Sequence, residues 1–202
     1  MRKCKGESDR TRQRLLDAAE QVFSDKGYGA AALEEVADLA GLTRGSIYWH
    51  FRGKPDLLGA VIDRARLPWD ELPRRADADG VSDISELAEG MAEGIKLTVA
   101  DPHLRRVSLI LLQGSGPPAQ RRRTLLRLRR IQARLCRYLL TVIEGEQPGV
   151  SAAAHNSQLA RHISTFMLGA LYEALMLDAP VDSQRVGRDV RDFILGLPKA
   201  TG

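Results

Sequence analysis

Apolar residues recur at steps of three and four along almost the whole chain, and no stretch shows the strict alternation that a half-buried strand requires. That periodicity restricts the fold to packed helices. Leu15, Ala18, Ala19, Val22 and Phe23 mark a first helix over 9–26, stopped by Gly27. Leu33, Val36, Ala37 and Ala40 mark a short second helix closed by Gly41. Thr43 is placed to cap a third by accepting the Ser46 backbone N–H, with Leu42, Ile47 and Phe51 turned inward and Gly53 ending it. Lys54-Pro55-Asp56 opens a fourth, whose buried stripe is Leu57, Leu58, Val61, Ile62 and Ala65 and which is expected to run to near Pro68. Residues 69–82 are rich in Pro, Asp and Gly and read as a loop. Further helices are expected over 84–99, 104–112, 120–143, 153–177 and 183–197.

Composition narrows the function classes. The chain has 202 residues, 44% hydrophobic and 28% charged, which suits an ordinary globular protein with a proper core. Its longest nearly apolar run, 166–177, contains Glu173 and falls short of the roughly 18 residues that span a bilayer. Lys5, Glu7, Asp9 and Arg10 stand where a leader peptide would be apolar, so a cytoplasmic protein with no membrane partner is expected. Cys4 and Cys136 have neither metal-ligand spacing nor the density of a disulfide framework, and are expected to be reduced thiols. The four histidines contain no i, i+4 pair suited to zinc, so no metal or cofactor is expected. Gly27 to Ala32 fits a loose G-x-G-x-x-A pattern but follows a helix where a dinucleotide fold needs a strand, and no P-loop, H-E-x-x-H or G-x-S-x-G is present. An enzyme is therefore not expected.

Charge is segmented: residues 69–101 carry three Lys/Arg against nine Asp/Glu, and residues 102–143 carry ten against none. The basic block invites a nucleic-acid reading. A solvated helix face, its field cancelled by packing beside the acidic block, is preferred. Its main arginine row is Arg123, Arg127, Arg130, Arg134 and Arg137. A rival reading makes Arg121 to Arg137 a docking face for acidic proteins or membrane surfaces, and predicts binding that survives Arg44→Ala.

The segment from Leu33 to Lys54 is the informative one: helix, glycine turn, helix, then a basic residue opening another helix. Burying Ile47 and Phe51 leaves Arg44 and Tyr48 on one outer row and Gly45 and Trp49 on the next. Arg44 can offer a fork to guanine O6 and N7, Gly45 permits close approach, and Tyr48, Trp49 and His50 suit phosphates or thymine methyls. Lys54 opposes its helix dipole, which leaves a phosphate as its natural partner. Thr43 as a plain cap and Trp49 as a packing residue are the alternative readings. Residues 10–62, with Gly41-Leu42-Thr43-Arg44-Gly45-Ser46-Ile47-Tyr48-Trp49-His50-Phe51 and Lys54, resemble the DNA-binding domain of TetR-family transcriptional repressors, closest to the AcrR-like branch that represses multidrug efflux operons. The resemblance implies operator contacts from Thr43, Arg44, Gly45, Ser46, Tyr48, Trp49, His50 and Lys54. One departure is Ala30-Ala31-Ala32, where the family commonly opens its second helix with a phosphate-touching Thr.

By the same resemblance the chain is all-α, with an N-terminal three-helix helix-turn-helix domain over 1–55 and an all-helical ligand-binding and dimerisation domain over 56–202. Expected partners are double-stranded operator DNA, a small hydrophobic or cationic inducer, and a second copy of the chain. The helix over 153–177 is apolar on nearly all sides, more than one core-facing stripe explains. Leu159, Ile163, Phe166 and Ala170, with Phe193, Ile194 and Leu197, are therefore candidates for a four-helix dimer interface. Candidates for an inducer pocket are Trp69, Met91, Ile95, Leu109, Gln113, Phe166, Met167, Tyr172 and Glu173.

Overall fold

The fold was analysed in a computed structural model, which describes residues 2–71, 83–114, 116–146, 153–177 and 182–195. Among the described residues the chain is all-α. Its helices are α1 (Arg2–Ala30), α2 (Leu33–Leu39), α3 (Arg44–His50), α4 (Lys54–Arg64), α5 (Ile84–Ala100), α6 (Pro102–Gln113), α7 (Pro118–Glu146), α8 (Ala153–Met176) and α9 (Ser183–Leu195). They form two compact units, one of residues 1–65 with 103–127, the other of 66–102 with 128–202.

In the first unit the predicted stripe of α1, Leu15, Ala18, Ala19, Val22 and Phe23, is buried, as is Leu16 beside it, and α1 packs on α2 and α4. Leu57, Leu58, Val61 and Ile62 of α4 are buried as well, each contributing on the order of 1.5–3 kcal/mol of transfer free energy. Helix α1 starts at Arg2, well before the predicted start, and carries a break at Gly27, whose φ of 73° and ψ of 159° no helical residue has. Gly41, at φ 61°, closes α2; there Arg14 of α1 donates to the carbonyl of Ala40 at 2.5 Å, satisfying an acceptor the helix end leaves free. Helix α4 stops at Arg64, short of the expected Pro68. Arg127 donates from its guanidinium to the carbonyls of Ile62 and Ala65, so the last turn is satisfied without further helix.

The second unit is built on apolar stripes. Ile84, Leu87, Met91 and Ile95 of α5 are buried, and α5 packs on α9 and α8. The α5–α9 crossing is close because Gly187 has no side chain: a Cβ there would stand 3.2 Å from the carbonyl oxygen of Ala88. Leu135, Leu139 and Val142 of α7 are buried as the periodicity predicts, with Leu128 and Ile131 half-buried. Helix α8 turns Leu159, Ile163, Met167, Leu171 and Ala174 inward and leaves Phe166, Leu168, Tyr172 and Met176 exposed.

Candidate nucleic-acid interface

Seven residues do not make a helix that stands alone in water, so α3 is held by what it packs against. Ile47 and Phe51 are its anchors, both buried, and Arg12 of α1 lies over the Phe51 ring at 5.2 Å. With that side committed, the opposite side faces solvent: Arg44, Gly45 and Tyr48 are exposed and Trp49 is 87% exposed. An indole so exposed adds nothing to the core, and Trp49 as a packing residue is set aside on that ground. Ser46 and His50 flank this face, half-buried.

Thr43 occupies the N-cap position with extended backbone, but its side chain makes no cap bond. Its hydroxyl meets the Ser46 hydroxyl at 3.0 Å, while the Ser46 N–H donates to the Thr43 carbonyl. The predicted cap is thus replaced by a hydroxyl pair on the exposed rim, since the carbonyl already holds the amide. Lys54 also differs from expectation: its ammonium donates to the carbonyl of Gly29 at 3.2 Å and sits over the Tyr28 ring at 4.5 Å. Burial holds the Lys54 pKa below its ordinary value. The opposed helix dipole that suggested a phosphate is answered from within the chain, by the end of α1.

Helix α2 begins at Ala32, which has no capping oxygen. Glu35 instead reaches back to accept from the Ala32 N–H at 3.2 Å and pairs with Lys26 at 2.5 Å. Its neighbour Glu34 points to α3 and forms an ion pair with Arg44. The hydrogen bond with the Tyr48 hydroxyl, followed by Glu34, raises the Arg44 pKa.

Helix α1 also carries a buried charge cluster centred on Glu20, which is 1% exposed. Its carboxylate accepts from Arg64 of α4 at 2.9 Å and from Arg106 of α6 at 3.0 Å, and meets His103 Nδ1 of α6 at 2.5 Å. Arg64 also binds Asp17 and Gln13 of α1. One carboxylate therefore ties α1, α4 and α6 together. A sequence signal for it exists: Glu20 falls in line, at steps of four, with the buried Leu16 and Ser24. The basic block is likewise not simply a solvated face. Arg127 caps α4 as described, and Arg123 pairs with Asp63 at 2.9 Å, while Arg130, Arg134 and Arg137 are exposed.

Leu109 is half-buried and Gln113 exposed in the first unit. In the second unit Met91, Ile95, Met167 and Trp69 are buried, with Trp69 packed against Gly94 of α5, whereas Phe166, Tyr172 and Glu173 are exposed. Of the dimer candidates, Leu159 and Ile163 are spent on the chain's own core, which corrects their assignment to a surface; Phe166 is exposed and Ala170 half-buried. Leu197, and the side chains of Phe193, Ile194 and Cys4, lie outside the described residues. Cys136 is half-buried and donates to the Ser164 hydroxyl at 3.3 Å. No group of metal-binding side chains is found among the described residues, and no described helix is long and apolar enough to cross a membrane.

A short anchored helix presenting an arginine and aromatic tips, preceded by a glycine turn and a second short helix, defines a helix-turn-helix reading head. Residues 15–61 match the family of bacterial regulatory proteins, tetR family. Over 171 residues the chain is 30% identical to the HTH-type transcriptional repressor BepR of Brucella suis, covering 84% of this chain and 82% of the relative. The HTH-type transcriptional regulator TtgR of Pseudomonas putida is 34% identical over 112 residues, which is 55% of this chain and 53% of TtgR. Among solved structures, SmeT in complex with triclosan superposes with a TM-score of 0.71 at 26% identity, covering 95% of this chain and 96% of that one. SmeT is the repressor of the Stenotrophomonas maltophilia multidrug efflux pump SmeDEF. This chain belongs to the TetR family of bacterial transcriptional regulators.

Proposed function

We propose that the protein is a ligand-relieved repressor of a multidrug efflux operon, working in the cytoplasm as a homodimer and catalysing no reaction. The observation that carries the reading is the exposed face of Arg44, Tyr48 and Trp49 on a helix anchored by Ile47 and Phe51. Residues 1–55 are assigned to DNA reading and 56–202 to ligand binding and dimerisation. Arg44 reads guanine; Thr43, Ser46, Tyr48 and His50 meet phosphates; Trp49 makes apolar contact with thymine methyls; Gly45 lets the helix approach closely. Lys54 serves by holding the end of α1, and reaches a phosphate only on leaving Gly29. Two copies related by a two-fold axis place their reading heads on half-sites about 34–36 Å apart, so the operator is a pseudo-palindrome.

Relatives support the ligand and efflux parts: SmeT represses an efflux pump and forms a complex with triclosan. The route for relief runs through the contacts that α6 and α7 make with α4. Glu20 ties α6 to α4, and Arg127 holds the α4 end, so a ligand that displaces α6 or α7 moves α4 and changes the spacing of the heads. Coupling of roughly 1–3 kcal/mol suffices for a several-fold to hundredfold loss of operator affinity.

The test is binding to DNA upstream of the gene and its neighbours, against random DNA, over a salt series. Wild type is expected to select one site, Tyr48→Ala to lose about tenfold or more in affinity with unchanged thermal stability, and triclosan to serve as the first release probe. Weak, unselective binding that ignores Tyr48 would overturn the assignment and turn attention to the exposed arginines of α7.

A further inference from the structure

An anionic side chain beside a DNA-reading arginine needs a reason, because every carboxylate facing a duplex repels its phosphates. The first turn of α2 carries two glutamates, where the positive end of the helix dipole favours acids. Glu35 is fully used at home, on the Ala32 amide and on Lys26. Glu34 is not: it leaves its own turn and pairs with Arg44 across the helix-turn-helix. On its other side Arg44 donates to the Tyr48 hydroxyl at 3.4 Å, and its guanidinium lies 6.0 Å from the centre of the Tyr48 ring. The side chains of Glu34 and Arg44 are 52% and 58% exposed, so the pair contributes little to stability. Its effect lies in binding.

We propose that Glu34 is a specificity-determining residue, which aims the Arg44 fork at a base edge and withholds it from the DNA backbone. The inference rests on the reading of α3 as the DNA-contacting helix. A guanidinium has five N–H donors in one plane. Held by the carboxylate and steadied by Tyr48, it keeps donors to spare for the two acceptors of a guanine edge, which lie in that plane. A phosphate competes with Glu34 for the same charge and brings a second anion toward the carboxylate. Backbone-only binding is therefore penalised where a correct base is not, and discrimination is gained by weakening the wrong complex. As the duplex excludes water the pair strengthens, so the aim improves on docking.

The experiment selects the preferred duplex from a random pool with the wild-type full chain. It then measures wild type, Glu34→Gln and Arg44→Ala on the selected duplex, on all single-base variants and on a scrambled duplex, over a salt series. For Glu34→Gln the expected result is several-fold tighter binding to the scrambled duplex and a steeper salt dependence. About tenfold of discrimination is lost at the base pair where Arg44→Ala also loses it, with other positions and the melting temperature unchanged. Equal change on all duplexes, or an unaltered profile, overturns the role of Glu34 while leaving the reading head in place. Failure of the wild type to select any sequence overturns both.

Discussion

The two compact units of this chain solve the same packing problem by different means. The first, which carries the reading head, holds a carboxylate in its interior: Glu20 is buried and bound by Arg64 of α4 and by Arg106 and His103 of α6. The second is assembled from the apolar stripes of α5, α8 and α9, drawn close at Gly187. A buried ion cluster is costly to desolvate and directional, so it defines one arrangement of its helices and penalises others. Apolar stripes are less particular, because a core of matched volume tolerates more than one way of packing.

The sharpest way to break that contrast is Glu20→Ala, which leaves Arg64 and Arg106 facing no buried carboxylate. It is expected to cost about 3–5 kcal/mol in urea unfolding, and Glu20→Leu less, because an apolar replacement refills the space. A loss under about 1 kcal/mol would show that the cluster is not what orders the first unit. In the second unit Gly187→Val forces the α5–α9 crossing apart and should cost about 1–3 kcal/mol in unfolding free energy. An unchanged melting temperature would refute the close crossing. The smallest effect belongs to Glu35, whose pKa is lowered from 4.5, first by Lys26 and then by the Ala32 amide. Its contribution is complete above pH 4.5 and disappears as pH falls through the lower folded value, so Glu35→Gln should lower neutral stability slightly and flatten the acid limb of a stability-against-pH curve, variant and wild type converging at low pH.

Legibility in the sequence followed range. Ile47 and Phe51 lie four residues apart, so their shared face, and the opposite face of Arg44, Tyr48 and Trp49, could be read directly from helical spacing. Thr43 shows the limit even at short range: its position at the cap was readable, but whether its hydroxyl takes the amide or Ser46 depends on which acceptor the amide already has. Helical spacing gives no sign of the role of Glu34, because its partner Arg44 lies on the next helix. Spacing alone makes the arginines of α7 one solvated row, yet Arg123 and Arg127 reach more than 50 residues back along the chain, to Asp63, Ile62 and Ala65.

Sterics within a few residues set the helical period, the glycine breaks at Gly27, Gly41 and Gly53, and the outward face of α3, and these are legible without the fold. Long-range packing decided which partners, 44 and 86 residues away, Glu20 would meet, that Lys54 would turn to Gly29, and that Leu159 and Ile163 would be spent inside. The physical reason is that periodicity states which residues must leave water but not what they meet there. A charge in the interior is tolerated only when several distant helices converge to neutralise it.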